Sequence, residues 1–435
     1  MNIRRGVLAV AAVVLAATWI IAAPLDVIIR AVQEGRRNDL GVSRFTARDV
    51  TDRPIAEQVQ GVVRDDLLFT RLFNIVEPGW QYLPNPEVSK TWKERFGIDL
   101  ALCGELVRSG TAYMLRAAMY DTETAEVVFE QTFASHDTRY LAHLVSDTVV
   151  MRFFGEYGIA TTRIVFVNNQ TGRKELYIMD YDGANLQRLT DDRSIAMYPR
   201  VSPDGSRILY TSYKKGNPDL FLMNIDGTGS RAISTVQGLN ITANWSPDGQ
   251  RILVTMTHAK HDPNMYLLDT DGGVVRRITS GRTIDVSGFF APNGREIVFI
   301  SNRTGIPQMY LTDLEGFSIR RLPTQGYTDS PVWSPAGDRI VFCMQTEGGR
   351  FDIYRYDIAA NEYYRMTQSE GSSEQPYFSP DGRFVVFTSN RRGRYELYTM
   401  FLDGSGQRRI VDIPGNSMMP CWTPRRMVGA QVPGR

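Results

Sequence analysis

From Arg163 to Pro424 the chain alternates apolar and polar positions in short runs, among them "RILYTS" (207–212), "RILVTM" (251–256), "EIVFIS" (296–301), "RIVFCM" (339–344) and "FVVFTS" (384–389). Alternation with period two is the signature of strands with one face buried. Each run follows a four-residue reversal: "SPDG" at 202–205, 246–249 and 379–382, "APNG" at 291–294 and "SPAG" at 334–337. Proline presets φ at the second position, Asp or Asn tolerates the third, and Gly accepts the exit. An aliphatic or aromatic residue stands just before each reversal: Val201, Trp245, Phe290, Trp333 and Phe378. The pattern predicts hairpins, and it gives the turn aspartates a structural role rather than a catalytic one.

The turn prolines Pro203, Pro247, Pro292, Pro335, Pro380 and Pro424 recur every 43–45 residues. Each period reads strand, turn, strand, a Gly or charged loop such as "SNRTGIPQ", a third strand such as "MYLTD", a Gly turn, and a fourth strand such as "IRRLP". Four strands in a period of about 40–50 residues are propeller blades. The region opens at "RIVFVNN" (163–169), a second strand without a first, and closes at "MPCWTP", a first strand without a successor. Pairing the two ends completes a sixth blade and leaves no free sheet edge.

Residues 24–157 are patterned differently. "DVIIR", "LGVSRFTA" and "FNIVE" read as strands, and "IAEQVQGVVRDDLLFTRL" sets Ile55, Val59, Val62, Val63 and Leu67 along one helical stripe. A short helix around Trp92 and Phe96 precedes three strands, "IDLALCGELV", "AYMLRAAMYD" and "EVVFEQTFA". "RYLAHLVSDTVVMRFF" sets Leu141, Leu144, Val145, Thr148 and Val149 on one face of a second long helix. The expected fold class is therefore a mixed α/β domain followed by an all-β six-bladed β-propeller, closed by the C-terminal strand. The expected boundaries are a signal peptide at 1–22, the α/β domain at 23–157, the propeller at 158–424 and a tail at 425–435.

The start, "MNIRR" followed by "GVLAVAAVVLAATWIIAA", reads as an export signal cut before Ala23; the apolar run also approaches the length of a membrane anchor. The chain has 49 basic against 48 acidic residues and a net charge of +1, without the basic footprint of a nucleic-acid binder. The local run "NRRGRYE" (390–396) falls in a solvated loop between strands. Three cysteines cannot build a disulfide framework; Cys343 and Cys421, on strands, read as small buried hydrophobes.

No nucleophile elbow, phosphate loop, dinucleotide fingerprint or Cys-x-x-Cys occurs. His258 and His261 are spaced as metal ligands could be, but with no further ligand nearby they read as an exposed loop. His136 and His143 read as capping or surface residues of the second long helix. No catalytic residue, metal ligand or cofactor is expected. Two enzymatic alternatives remain to be separated: a propeller attached to a peptidase, for which 24–157 is too short to be the hydrolase domain, and a lactonase-like hydrolase with a pore metal.

The surface a propeller always makes is the mouth of its channel, ringed by the starts of the first strands. The positions five to seven places before each turn proline are mixed polar and apolar: Met197, Tyr198, Asn240, Ile241, Thr242, Asp285, Val286, Thr328, Asp329, Glu374, Gln375, Met418 and Met419. Asp285, Asp329 and Glu374 stand there without Lys or Arg, which favours a partner segment carrying basic or amide groups.

Taken together, the signal, the "DRPIAEQVQGVVRDDLLFTRLFNIVEP" and "WKERFGIDLALCGEL" stretches, and six blades with "WSPDG" turns and "TSNRRGRYELY" strands resemble the TolB family. The resemblance implies a non-enzymatic, monomeric periplasmic adaptor of the Tol-Pal envelope system, serving outer-membrane integrity and cell division. It implies that the mouth residues above face the lipoprotein Pal, and that the segment Ala23, Pro24, Leu25, Asp26, Val27, Ile28, Ile29 and Arg30 contacts TolA. Other outer-membrane proteins are further partners on this reading, and contact with the membrane is only indirect.

Overall fold

A computed structural model describes residues 37–77, 86–257, 262–368 and 370–425. The expected signal, the strand "DVIIR", the segment Ala23–Arg30 and the pair His258/His261 lie outside the described residues. Contacts divide the chain into two compact units between Val149 and Val150. No helix among the described residues is long and apolar enough to cross a membrane.

In the N-terminal unit β1 (Asn38–Val42), β2 (Thr46–Ala47), β3 (Phe73–Val76), β4 (Leu100–Ser109), β5 (Ala112–Asp121) and β6 (Val127–Ser135) form one mixed sheet in the order β3-β1-β4-β5-β6, with β2 against β4. The expected single strand "LGVSRFTA" is two, because the chain breaks step at Ser43, whose amide donates to the Leu102 carbonyl. Helix α1 (Arg53–Thr70) starts with Pro54 in its first turn, where a missing N–H costs nothing. It buries Ala56, Val59, Val63, Asp66, Leu67 and Thr70, while Ile55 and Val62 stay half-buried at the edges of the stripe. It stops at Arg71, which is left-handed at φ 54° and returns its N–H to the Leu68 carbonyl. The short helix α2 covers Pro86–Phe96.

Helix α3 (Thr138–Phe154) departs from expectation: it is buried on nearly every side from Tyr140 to Val150, not along one face. His143 is accordingly no surface or capping residue. It is buried, with Nδ1 2.8 Å from Oδ2 of Asp66 on α1, a polar link between the two helices. His136 is the exposed one, its ring set 3.1 Å from the Thr111 carbonyl.

The second unit holds six four-stranded antiparallel sheets. Five run in chain order; in the sixth the order is Ser417–Trp422, Arg163–Asn168, Glu175–Asp180, Gln187–Arg188. Ser417 pairs with Asn168 and Trp422 with Ile164, so the last strand completes the first sheet and closes the ring. Blades are joined by shared cores: Leu209, Leu220 and Leu222 of one pack with Trp245, Ile252, Val254 and Met256 of the next. Cys343 and Cys421 are buried in such cores, as expected. The outermost strands are shorter than the sequence pattern implies, only two residues at Gln187–Arg188, Arg320–Arg321 and Arg408–Arg409. A short edge with exposed arginines offers little to an incoming strand.

The turn residues are consumed by the turns. The Ser246 hydroxyl donates to Asp248 at 2.5 Å, and Asp248 also accepts from the Gln250 amide at 3.0 Å, so these bonds hold its carboxyl below the usual range. At the rim, the glycine of an outer hairpin seats on the preceding blade: a Cβ at Gly272 would stand 1.7 Å from the Ile233 carbonyl oxygen.

Two outcomes are expected. Gly305→Ala, where φ is 105° but a Cβ would meet nothing, lowers the unfolding free energy by about 1–2 kcal/mol. Gly272→Ala costs clearly more in the same denaturant titration, since the blades must part; equal losses would refute the seat. Deleting residues 416–435 removes the closing strand, and the product should melt earlier and self-associate in sedimentation; an unchanged, monomeric product would refute closure.

Candidate functional site: the mouth of the channel

The inner strands, Ala196–Val201, Asn240–Trp245, Asp285–Phe290, Thr328–Trp333, Ser373–Phe378 and Ser417–Trp422, share one irregularity. In each, the pairing register shifts after the second residue, as between Met197 and Arg200 or between Asp329 and Val332. The third residue of each is left-handed without being glycine: Tyr198, Thr242, Ser287, Ser330, Gln375 and Met419, with φ between 50° and 56°. That conformation costs an L-residue roughly 1–2 kcal/mol. Six such bulges stacked in a ring are a built feature of the channel.

The bulge breaks the in-out alternation that a regular strand imposes. Second and third residues are consecutive, yet both stay partly exposed in five of the inner strands; in the sixth, Met418 is half-buried and Met419 is 9% exposed. Ten of the expected mouth residues thus fall into two stacked tiers. The outer tier has Met197, Ile241, Val286, Asp329, Glu374 and Met418; the inner one has Tyr198, Thr242, Gln375 and Met419, completed by Ser287 and Ser330. The inner tier, with Arg200 and Asn244, surrounds a cavity of about 40 Å³, room for only a few waters.

The remaining three expected residues are enclosed in their blades. The Asn240 side chain donates to the Val236 carbonyl at 2.7 Å and accepts from the Ser234 hydroxyl. Asp285 is fully buried and paired with Arg303 at 3.2 Å. Thr328 is fully buried as well. First residues of these strands face the blade interior, so counting back from the turn proline went one position too far. The acidic mouth also loses one of its three carboxylates to that arginine.

Asp329 and Glu374 remain. Burial raises the Asp329 carboxyl above its usual range, against hydrogen bonds from the Ser330 amide at 2.6 Å and the Ser287 hydroxyl at 3.4 Å. Burial raises Glu374 too, and Asp329 adds to it, while the Tyr395 hydroxyl donates to Glu374 at 3.1 Å. Polar links tie the inner tier from blade to blade: the Met419 amide donates to Gln375 Oε1 at 2.9 Å, and the Ser287 amide to the Thr242 hydroxyl at 3.3 Å.

Below the inner tier the channel narrows to a waist. The Arg200 guanidinium lies 5.3 Å over the Tyr377 ring, which meets Phe289 edge-on at 6.0 Å. Arg200 also donates to Asn244 at 3.0 Å, and Asn244 to the Gly288 carbonyl at 2.8 Å. Side chains from four inner strands therefore meet across the axis and floor the cup. None of these residues, nor Ser287 and Ser330, stood among the expected ones; aligning the repeats at the third and fifth strand positions would have found them.

Residues 150–426 match the model of the TolB beta propeller domain. A "Protein TolB homolog" of Chlorobium chlorochromatii is 33% identical over 174 residues, 38% of this chain and 40% of that protein. A "Tol-Pal system protein TolB" of Geobacter sulfurreducens is 36% identical over 161 residues, 35% and 37% of the two chains. The matches thus span about two-fifths of the relatives' length. The crystal structure of TolB from Acinetobacter baumannii superposes with a TM-score of 0.79 over 89% of this chain and 97% of that one; at 23% identity it supports the fold.

The carboxylate shifts give a testable stability effect. A carboxyl raised on folding stabilises the fold below its unfolded pKa, and that contribution is lost as pH rises through the folded value. Asp329→Asn, which keeps an acceptor for the Ser330 amide, should therefore raise the thermal midpoint at pH 7, and the gain should shrink toward pH 4. A gain independent of pH, or a loss at pH 7, would show that the ionised carboxylate is not strained there.

Proposed function

Because this chain belongs to the family of the TolB beta propeller domain, we propose that it is a non-catalytic periplasmic adaptor of the Tol-Pal system, holding a segment of the lipoprotein Pal in the cup of its channel. On the same reading Ala23–Arg30 engages TolA, and the pair of contacts links the adaptor to outer-membrane integrity and division. The names of its relatives, TolB proteins of Tol-Pal systems among them, support the system. The geometry that supports the mode of binding is the double tier of half-buried side chains above a floored channel.

Such a cup suits a chain segment better than a small polar substrate. Met197, Ile241, Val286 and Met418 offer separated apolar anchors, and Thr242, Ser287, Ser330 and Gln375 offer hydrogen-bond groups between them. The backbone is set in the bulges before a partner arrives, so little ordering is left to oppose association. Asp329 and Glu374 add negative charge on one side of the ring, a match for a basic or amide-bearing segment.

Interface energy concentrates in a few enclosed residues, and losing one anchor costs about 2 kcal/mol or more. Ile241→Asp and Met418→Asp should each weaken Pal binding by about thirtyfold in calorimetry, and Asp329→Lys should weaken it by a comparable factor. Circular dichroism checks the fold of each variant. Folded variants that all bind Pal like the parent would place its site outside the channel.

A further inference from the structure

The blades repeat one outer hairpin between their third and fourth strands, and a single copy departs from the set. At its tip a small or polar residue follows a left-handed glycine: Ala184 after Gly183, Thr228 after Gly227, Gly273 after Gly272 and Ser405 after Gly404. In the blade that starts at Asp285, the place after Gly316 is taken by Phe317, which is 87% exposed. The blade core does not use this ring, since Leu314 and Ile319 of the same hairpin already pack against that core. Yet the tip is held firmly. The Phe317 and Ser318 amides donate to the Asp313 carboxylate at 2.9 and 3.1 Å, and a Cβ at Gly316 would stand 2.0 Å from the Ile278 carbonyl oxygen of the preceding blade.

That seat brings the tip beside the outer strand Val274–Arg277 of the preceding blade, where Glu315 meets Arg276 at 3.5 Å. Val274 and Val275 are exposed as well. Around these three apolar side chains the free charge has one sign. Asp271 and Glu315 are already paired, with Arg231 and Arg276, while Asp269 and Asp313 accept from amides of their own hairpins. Arg277 lies 5.8 Å over the Tyr266 ring and Arg321 donates to Gln308 at 2.9 Å, but neither they nor the exposed Arg320 has a carboxylate partner among the described residues.

Projecting apolar groups among arginines without counterions match either an acidic protein segment or an anionic lipid surface. A protein segment would gain most by extending a sheet, and here the edges are blunted. Arg320–Arg321 is two residues long, and the pairing of Val274–Arg277 breaks register between Leu267 and Leu268. A lipid surface needs no ladder and no pocket: it takes up a projecting ring at headgroup depth, while its phosphates neutralise the arginines. We propose that Phe317, with Val274 and Val275, enters the headgroup layer of an anionic phospholipid surface, and that Arg277, Arg320 and Arg321 meet the lipid phosphates. One ring, two valines and a few cations make a reversible contact, not an anchor. The contact uses none of the cup residues, so it stands or falls separately from the binding proposed there.

The test is sedimentation with vesicles, using the chain from Ala23 onward so that the apolar leader does not contribute. It should bind vesicles of phosphatidylglycerol, bind phosphatidylcholine vesicles poorly, and come off as salt rises from about 0.05 to about 0.5 M, where the Debye length has shrunk to a few ångströms. Phe317→Asp should weaken binding by about tenfold or more. Arg320→Ala and Arg321→Ala should each weaken it by about fivefold. Phe317→Trp should keep it, and Arg392→Ala, an exposed arginine of another blade, should leave it nearly unchanged. Circular dichroism checks each fold. Equal binding to both lipids, no binding at low salt, or an Arg392→Ala loss as large as the other two overturns the proposal. So does a chain that ignores vesicles but holds polyglutamate through Phe317, which would assign the patch to an acidic protein.

Discussion

The propeller rests on one hydrogen-bonded ladder, that between Ser417–Trp422 and Arg163–Asn168. A sheet edge left open within the ring would leave a row of backbone donors and acceptors without partners and would invite another chain to pair. Joining residues nearly the whole propeller apart in sequence also carries a loop-closure cost that is met only once the intervening blades are formed. The ladder is supported on both sides. The Arg163 amide donates to the Thr423 hydroxyl, the Asn168 side chain donates to the Ser417 hydroxyl and the Pro414 carbonyl, and the Trp422 indole donates to Thr162. With the ring closed, the inner strands converge on an axis, and everything proposed for the channel follows from that convergence.

Convergence alone would give a channel lined by every second side chain. The bulge ring changes this by exposing consecutive residues, which doubles the chemical variety of the wall at a cost in backbone strain. Tyr198, Thr242, Ser287, Ser330, Gln375 and Met419 have little in common as residue types, and all six carry a Cβ where glycine would be easier. Strain of that kind persists only where the surroundings over-determine it. Here the blade cores on either side do so.

This explains what could be read from the sequence and what could not. The hairpins and the blade count were legible because Pro and Gly state turn geometry locally, and the alternating runs beside them state the buried face. The split sixth blade was legible because each end lacked what the other supplied. The bulges were not, since left-handed Tyr, Ser or Met leaves no local mark, and the mouth was therefore placed one residue off at Asn240, Asp285 and Thr328. Neither was the His143–Asp66 pair, whose partners lie 77 residues apart and meet only through the packing of two helices. Helix α3, enclosed from Tyr140 to Val150, likewise shows in sequence only the periodicity of its most apolar face.

The waist of the channel sets how a guest can leave. With Arg200, Tyr377 and Phe289 meeting across the axis, a segment held in the cup on the proposed reading meets a floor and is not drawn through the ring. Release must retrace entry. A pull on such a segment along the axis is borne by its deepest contacts only after the shallower ones have let go, so the complex comes apart in sequence, like a zip opened from one end, rather than by sliding.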